Sequence, residues 1–181
     1  MKLNRWSLIP ICSALTAAGA FIRIPVAPVP ITLQTFFVVL SGILLGPRAG
    51  ALSQVIYILV GLMGLPVFSG GGGISYVMKP SFGYLLGFVC ASAMAGYFMK
   101  NRPVNFITVL IASILGMLMV YLVGTTYLAM YLYAVMQKGE AIGIAVKTGL
   151  LVFIPGDALK CAVLALVVPQ LRSVTAHLER R

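Results

Sequence analysis

Asp157 and Lys160 lie three residues apart in "FIPGDALKCAVLALVVPQL", residues 153–171, a run that is otherwise apolar. At this spacing two side chains share one helix face, and the pair can do one of three things. It can neutralise itself and orient a helix, work as an acid/base couple, or grip a ligand that presents both N–H donors and a carbonyl acceptor. The third follows from the inventory of the groups, since an ionised carboxylate only accepts hydrogen bonds and an ammonium only donates them. An ion placed in hydrocarbon costs roughly 2.5–3.5 kcal/mol, so the pair must point into a bundle interior or a wet cavity. The chain has three acidic side chains in all, and one of them is here.

Other polar groups stand where they could rim the same cavity. Gln34 opens an apolar segment beside Thr32 and Thr35, and Tyr76, Ser81 and Tyr84 flank the glycine run Gly70 to Gly73. Amide, hydroxyl and phenol groups around an apolar hollow suit a small polar ligand. The glycine run lacks the Lys-Ser/Thr of a phosphate loop, so no ATPase is visible in this chain. It reads as a mobile loop, and "PVAPVP", with φ largely preset, reads as a stiff wall facing it.

Metal and redox chemistry have no donor set. His177, the single histidine, lies in the charged tail, and Cys12, Cys90 and Cys161 sit in apolar runs without a CxxC spacing. No cofactor is implied. A membrane enzyme built on Asp157 and Lys160 would need a second acid or a nucleophile with its base, and neither is nearby.

These residues must be positioned by helices within lipid. Apolar residues make up 61% of 181 positions and charged ones 9%, far from the quarter expected of a soluble domain. A spanning helix takes roughly 20 apolar residues, which allows about six spans in one domain, 1–181, with no soluble catalytic module. Apolar segments run from about 7 to 22, 33 to 45, 51 to 65, 82 to 99, 104 to 123 and 150 to 171. The second and third are shorter than a full span. The net charge of +10 comes from residues scattered singly between these segments, which argues against nucleic acid and for topology signals.

With the N-terminus inside, the cytoplasmic face receives Lys2, Arg5, Arg48, Lys100, Arg102, Arg172, Arg180 and Arg181, and the outer face Arg23, Lys79, Lys138 and Lys147. Eight against four places both termini in the cytoplasm and the long loops outside, including one around "MQKGEAIGIAVKT". The first twenty residues imitate a secretory signal, but Pro10 interrupts the apolar stretch and cleavage would reverse the charge balance, so the segment is expected to be retained. Counting back from Arg172 at 1.5 Å per residue puts Asp157 roughly 22 Å and Lys160 roughly 18 Å from the inner end, in the outer half of a core about 30 Å thick. Pro155 and Gly156 before the aspartate mark a helix start, where a carboxylate gains from the dipole. Small residues recur four apart at Ala14/Ala18, Gly42/Gly46, Gly83/Gly87 and Ala112/Gly116, a spacing that brings helices close together, inside the bundle or against a partner.

The pieces "FIRIPVAPVPITLQTFFVVLSGILLGPRAGALS", "GLPVFSGGGG", "GYLLGF" and "IPGDALKCAVL", in this order and covering most of residues 12–171, resemble the BioY family, the biotin-specific S components of energy-coupling factor (ECF) transporters. The resemblance implies an all-α, six-transmembrane-helix bundle in the cell membrane of a prokaryote, with an outward pocket for biotin. It also implies docking on a transmembrane coupling subunit and two cytoplasmic ATPases. Carried over, Asp157, Lys160 and Tyr84 belong to the pocket, joined by Gln34, Tyr76 and Ser81 from the reading of residues. Ala14 and Ala18 resemble the docking surface of S-component first helices. Family members commonly read "GPTGGY" where this chain has "KPSFGY", so Lys79, Ser81 and Phe82 are departures. Biotin's ureido ring carries two N–H donors and a carbonyl, so Asp157 is expected to take an N–H and Lys160 the carbonyl, with Lys79 a candidate for the valerate carboxylate. S components for other vitamins share this architecture, so a different small vitamin is the alternative.

Overall fold

The computed structural model describes residues 5–136 and 140–178; Lys2, Lys138, Arg180 and Arg181, counted in the charge argument, lie outside them. Six helices of twelve residues or more build the described chain: α1 (Ile9–Phe21), α2 (Gln34–Leu45), α3 (Pro47–Leu62), α4 (Phe82–Met99), α5 (Phe106–Met136) and, after a short α6 (Ala141–Val146), α7 (Ile154–Leu178). A two-stranded hairpin, β1 (Arg23–Ile24) with β2 (Ile31–Thr32), follows α1 and pairs Arg23 with Thr32.

Three stretches, Phe82–Met99, Phe106–Val135 and Ala141–Gln170, are long and apolar enough to cross a membrane. The first three helices fall short: sixteen residues in α3 reach only about 24 Å at 1.5 Å per residue. Of the three, α2 is an inner member of the bundle, whereas α1 and α3 each keep an exposed apolar face. In α2, Val38 and Val39 are both fully buried although they lie on adjacent faces, as expected of a helix surrounded by protein. Gly46, at φ 84°, ends α2, and Pro47 starts α3 at once, the usual division of labour between glycine after a helix and proline at its first turn.

Small residues set the helix spacing, which in lipid must come from packing without a hydrophobic drive. Along α4, Gly83 faces the Tyr127 side chain and Gly87 the backbone of Val120, while Gly116 of α5 returns against Ala91 and Ala95. A Cβ on Gly42 would meet the backbone of Ser92, its Cα at 3.0 Å. Three of the four small-residue pairs thus pack inside the bundle. Ala14 and Ala18 do not: with Ile11 and Leu15 they form an exposed stripe along α1, opposite the buried Ile9, Cys12, Ser13 and Thr16.

Two expectations need correction. The fifth span does not stop near residue 123 but continues to Met136, because "GTTYLAMYLYAVM" keeps its apolar share beyond the two threonines. The stretch expected as a long outer loop is also mostly helical, with α6 running into a π turn, Lys147–Leu151, before α7. The glycine run is tied down by backbone bonds. Phe68 and Gly71 exchange backbone bonds of 2.9 and 3.1 Å, Gly73 N–H donates to Gly61 O at 2.8 Å, and the Phe68 ring packs on Gly61, where any side chain would collide with it. Gly71 and Gly73 have φ of 111° and 97°, a region that favours glycine.

The basic residues sort to two ends. Gly96 of α4 touches the Gly46–Pro47 turn, which puts Arg48 and Lys100 at one end. The Leu33 N–H donates to Gly19 O and Ile22 O, and the Tyr84 hydroxyl to Gly149 O, which gathers the surroundings of Arg23, Lys79 and Lys147 at the other.

Candidate functional site

At the end that carries Arg23, Lys79 and Lys147, the starts of α2, α4 and α7 and the middle of α5 line a concave cavity that is open on one side. Its walls are mainly apolar and aromatic, with Leu85, Phe88, Val120 and Phe153 among them. Tyr84 and Phe153 stack there with centroids 5.9 Å apart. Concave, largely apolar walls with a few placed polar groups are what a small-molecule site requires.

The polar centre is Asp157, 3% exposed, in the first turn of α7. One carboxylate oxygen, Oδ1, accepts from Lys160 Nζ at 2.7 Å and from the Thr35 hydroxyl at 3.3 Å. The other, Oδ2, accepts from the Tyr121 phenol of α5 at 2.6 Å. With two acceptor positions per oxygen, Oδ1 is filled and Oδ2 retains one. Lys160 has three donors and all are committed: to Asp157, to the Thr35 hydroxyl at 3.0 Å, and to Thr32 O of β2 at 2.6 Å. The ammonium therefore ties α7 to the β1–β2 hairpin and neutralises the carboxylate. It has no hydrogen left for a ligand carbonyl unless Thr32 O is exchanged.

Gln34 is 3% exposed at the start of α2. Its amide donates to the Tyr57 hydroxyl at 2.5 Å and its carbonyl accepts from the Thr32 hydroxyl at 3.1 Å. Tyr57 donates onward to Val67 O, which fixes the direction of each bond and leaves the second amide hydrogen of Gln34 without an acceptor among the described residues.

The glycine loop supplies the opposite wall. Ser81 donates to the Tyr76 hydroxyl at 3.2 Å, and Ser69 lies 3.4 Å from the same oxygen. Lys79 does not line the cavity. Its ammonium caps Gly70 O at 2.7 Å and rests 4.7 Å from the Tyr76 ring centre, so it closes the loop from outside.

Among the residues anticipated from sequence, Asp157, Lys160, Gln34, Tyr76, Ser81 and Tyr84 all line this one cavity. Tyr84 does so with its ring, its hydroxyl being held by Gly149 O at 2.7 Å. Gly149 lacks the side chain that would block that approach. Ala14 and Ala18 lie apart, on the exposed stripe of α1. Sequence reading missed Tyr121 and Ser69. The signal for Tyr121 was a phenol in the middle of an apolar span, whose O–H must find a partner when buried; Ser69 had none beyond its place beside the glycines.

Comparison with known proteins agrees across the chain. The family model described as the BioY family matches residues 1–177. A protein of Pyrococcus horikoshii named as a probable biotin transporter is 37% identical over 176 residues, 97% of this chain and 100% of that one. One from Lysinibacillus sphaericus with the same name is 49% identical over 125 residues; the match spans 67% of this chain and 62% of that relative's length. The biotin transporter of Thermotoga maritima is 34% identical over 91% of this chain and 93% of its own length. Among solved structures, the S-component for biotin from an ECF-type ABC transporter superposes with a TM-score of 0.80 at 28% identity, covering 95% of this chain and 92% of the other.

Proposed function

The chain belongs to the BioY family, and from that premise we propose that it captures biotin in the cavity around Asp157 and carries it inward as the membrane-embedded S component of an ECF transporter. It is a multi-pass membrane protein and a transporter component, not an enzyme. The observation that carries the ligand reading is the buried carboxylate with one vacant acceptor position, neutralised by Lys160, in the wall of an otherwise apolar cavity.

In this reading a ureido N–H takes the vacant position on Asp157 Oδ2, and the second amide hydrogen of Gln34 takes the ureido carbonyl. Charge assistance makes the first of these the stronger. Lys160 and Tyr121 hold the carboxylate in place, and Lys160 reaches the ligand only by exchanging Thr32 O. Tyr84 and Phe153 offer ring faces to the apolar part of the bicycle. The mouth faces outside and both termini are cytoplasmic, as the charge sorting favours.

In this reading the energy for uptake comes from partners, since this chain displays no phosphate loop of its own. A transmembrane coupling subunit docks on the Ala14/Ala18 stripe, where small side chains allow close helix approach, and two cytoplasmic ATPases supply the energy. The whole chain, 1–181, acts as one substrate-binding domain. Calorimetric titration of the detergent-purified chain with biotin, thiamine and riboflavin tests the assignment. A saturable response to biotin alone is expected; no response to biotin, or a stronger one to another vitamin, refutes it.

A further inference from the structure

The cavity has two polar poles, and the second remains to be used. Around the carboxylate pole every donor is committed except one amide hydrogen of Gln34. On the glycine-loop wall, Ser69, Tyr76 and Ser81 bring three hydroxyl protons together. Ser81 donates one to Tyr76, and the contact between Ser69 and Tyr76 uses a second, whichever of the two is the donor. One proton is left without an acceptor among the described residues. Ser69 is 9% and Tyr76 2% exposed, and both line the cavity. A buried hydroxyl with an unused proton is costly until an acceptor arrives, so this trio points to an acceptor group on the ligand.

The two poles are carried by different elements, Asp157 by the start of α7 and the trio by the glycine-loop wall, and a run of edge-on and tilted rings connects them. Gln34 bonds Tyr57, Tyr57 meets Phe68 at 5.4 Å between centroids, and Phe68 meets Tyr76 at 4.6 Å. With the two poles on different walls, the acceptor at the trio is assigned to a different part of the ligand from the group at Asp157. Its charge follows from the surroundings. Asp157 and Lys160 cancel each other, whereas Lys79, 4.7 Å from the Tyr76 ring centre, has no carboxylate beside it among the described residues. The trio thus sits at the positive end of the cavity.

We propose that Ser69, Tyr76 and Ser81 form an anion subsite that takes the ligand's carboxylate by direct hydroxyl donation, with Lys79 acting from behind Tyr76 as a positioning residue. The proposal rests on the biotin reading and extends it to the valerate end. Lys79 contributes by holding Gly70 O and the Tyr76 ring, which keeps the hydroxyls aimed into the cavity, and by its charge; it does not touch the carboxylate.

The test compares biotin with biotin methyl ester, which keeps the ureido ring and removes the anion, by calorimetry on the purified full chain. Wild-type protein is expected to prefer the acid. Ser69→Ala and Tyr76→Phe should each lower affinity for the acid about tenfold and change affinity for the ester less than twofold, while Asp157→Asn weakens both ligands alike. Retained ester binding shows that each variant is folded, and Ser69→Ala carries the test if Tyr76→Phe fails to fold. Equal losses for acid and ester in Ser69→Ala, or no loss for the acid, would overturn the subsite while leaving biotin capture standing. Wild-type protein that binds neither ligand would overturn both readings.

Discussion

Replacing Asp157 with asparagine keeps the shape of the side chain and removes its charge, and its effects on stability and on binding separate when Lys160 is changed as well. In the asparagine variant the carbonyl oxygen still faces Lys160 and Thr35, but the amide nitrogen takes the place of Oδ2. There it meets the Tyr121 oxygen and presents a donor where the ligand presents one. Lys160 becomes a buried cation without a counter-ion, its side chain 12% exposed. Breaking a buried pair from one side costs about 3–5 kcal/mol. Lys160 keeps Thr32 O and the Thr35 hydroxyl, so the low end, about 3 kcal/mol, is expected. A hydrogen bond to a charged group contributes about 1.5–3 kcal/mol, so losing the ligand bond should weaken biotin about 10- to 100-fold at 1.4 kcal/mol per decade. Adding Lys160→Met removes the stranded cation and should recover at least half of the lost stability without restoring affinity. Equilibrium unfolding in mixed micelles reads the first quantity and calorimetric titration the second. An Asp157→Asn protein that binds biotin within threefold of wild type, or a double variant no more stable than the single one, would refute the reasoning.

Other outcomes follow from contacts seen once each. Tyr121→Phe keeps the ring and removes the donor to Asp157 Oδ2; without ligand it should lose about 1.5–3 kcal/mol of stability, measured by the same unfolding, and an unchanged midpoint would deny the bond. Gln54 is fully buried with Oε1 unpartnered among the described residues, and Ser41 and Ser53, to which its amide donates, each have a backbone carbonyl of their own. Gln54→Leu should therefore stay within about 1 kcal/mol of wild type, since removing an unsatisfied buried polar group offsets the bonds lost. Gly42→Ala should cost about 1–3 kcal/mol by forcing α2 away from the Ser92 backbone, seen as a lowered unfolding midpoint. Tryptophan at both Ala14 and Ala18 should leave biotin binding intact and abolish co-purification with the coupling subunit and ATPases; lost biotin binding would mean the stripe packs the fold.

Sequence alone determined the membrane class, the helix count and the ionic pair at the start of α7. Each rests on composition or on spacing along one segment, where lipid forbids exposed backbone and punishes isolated charge. It also located Gln34, Tyr76, Ser81 and Tyr84, because polar groups beside apolar runs and glycines stand out locally. It did not anticipate how far α5 extends, since hydropathy falls at Thr125 and Thr126 while helical hydrogen bonding does not. Only the tertiary structure decided which donors remain free. Lys160, read from sequence as a ligand donor, is committed to Thr32 O and Thr35, 128 and 125 residues away in the chain. Tyr121 reaches Asp157 across 36 residues, and Lys79 turns outward to Gly70 O. Hydrogen-bonding capacity is a property of each residue, but its availability is set by neighbours that packing brings together from distant segments.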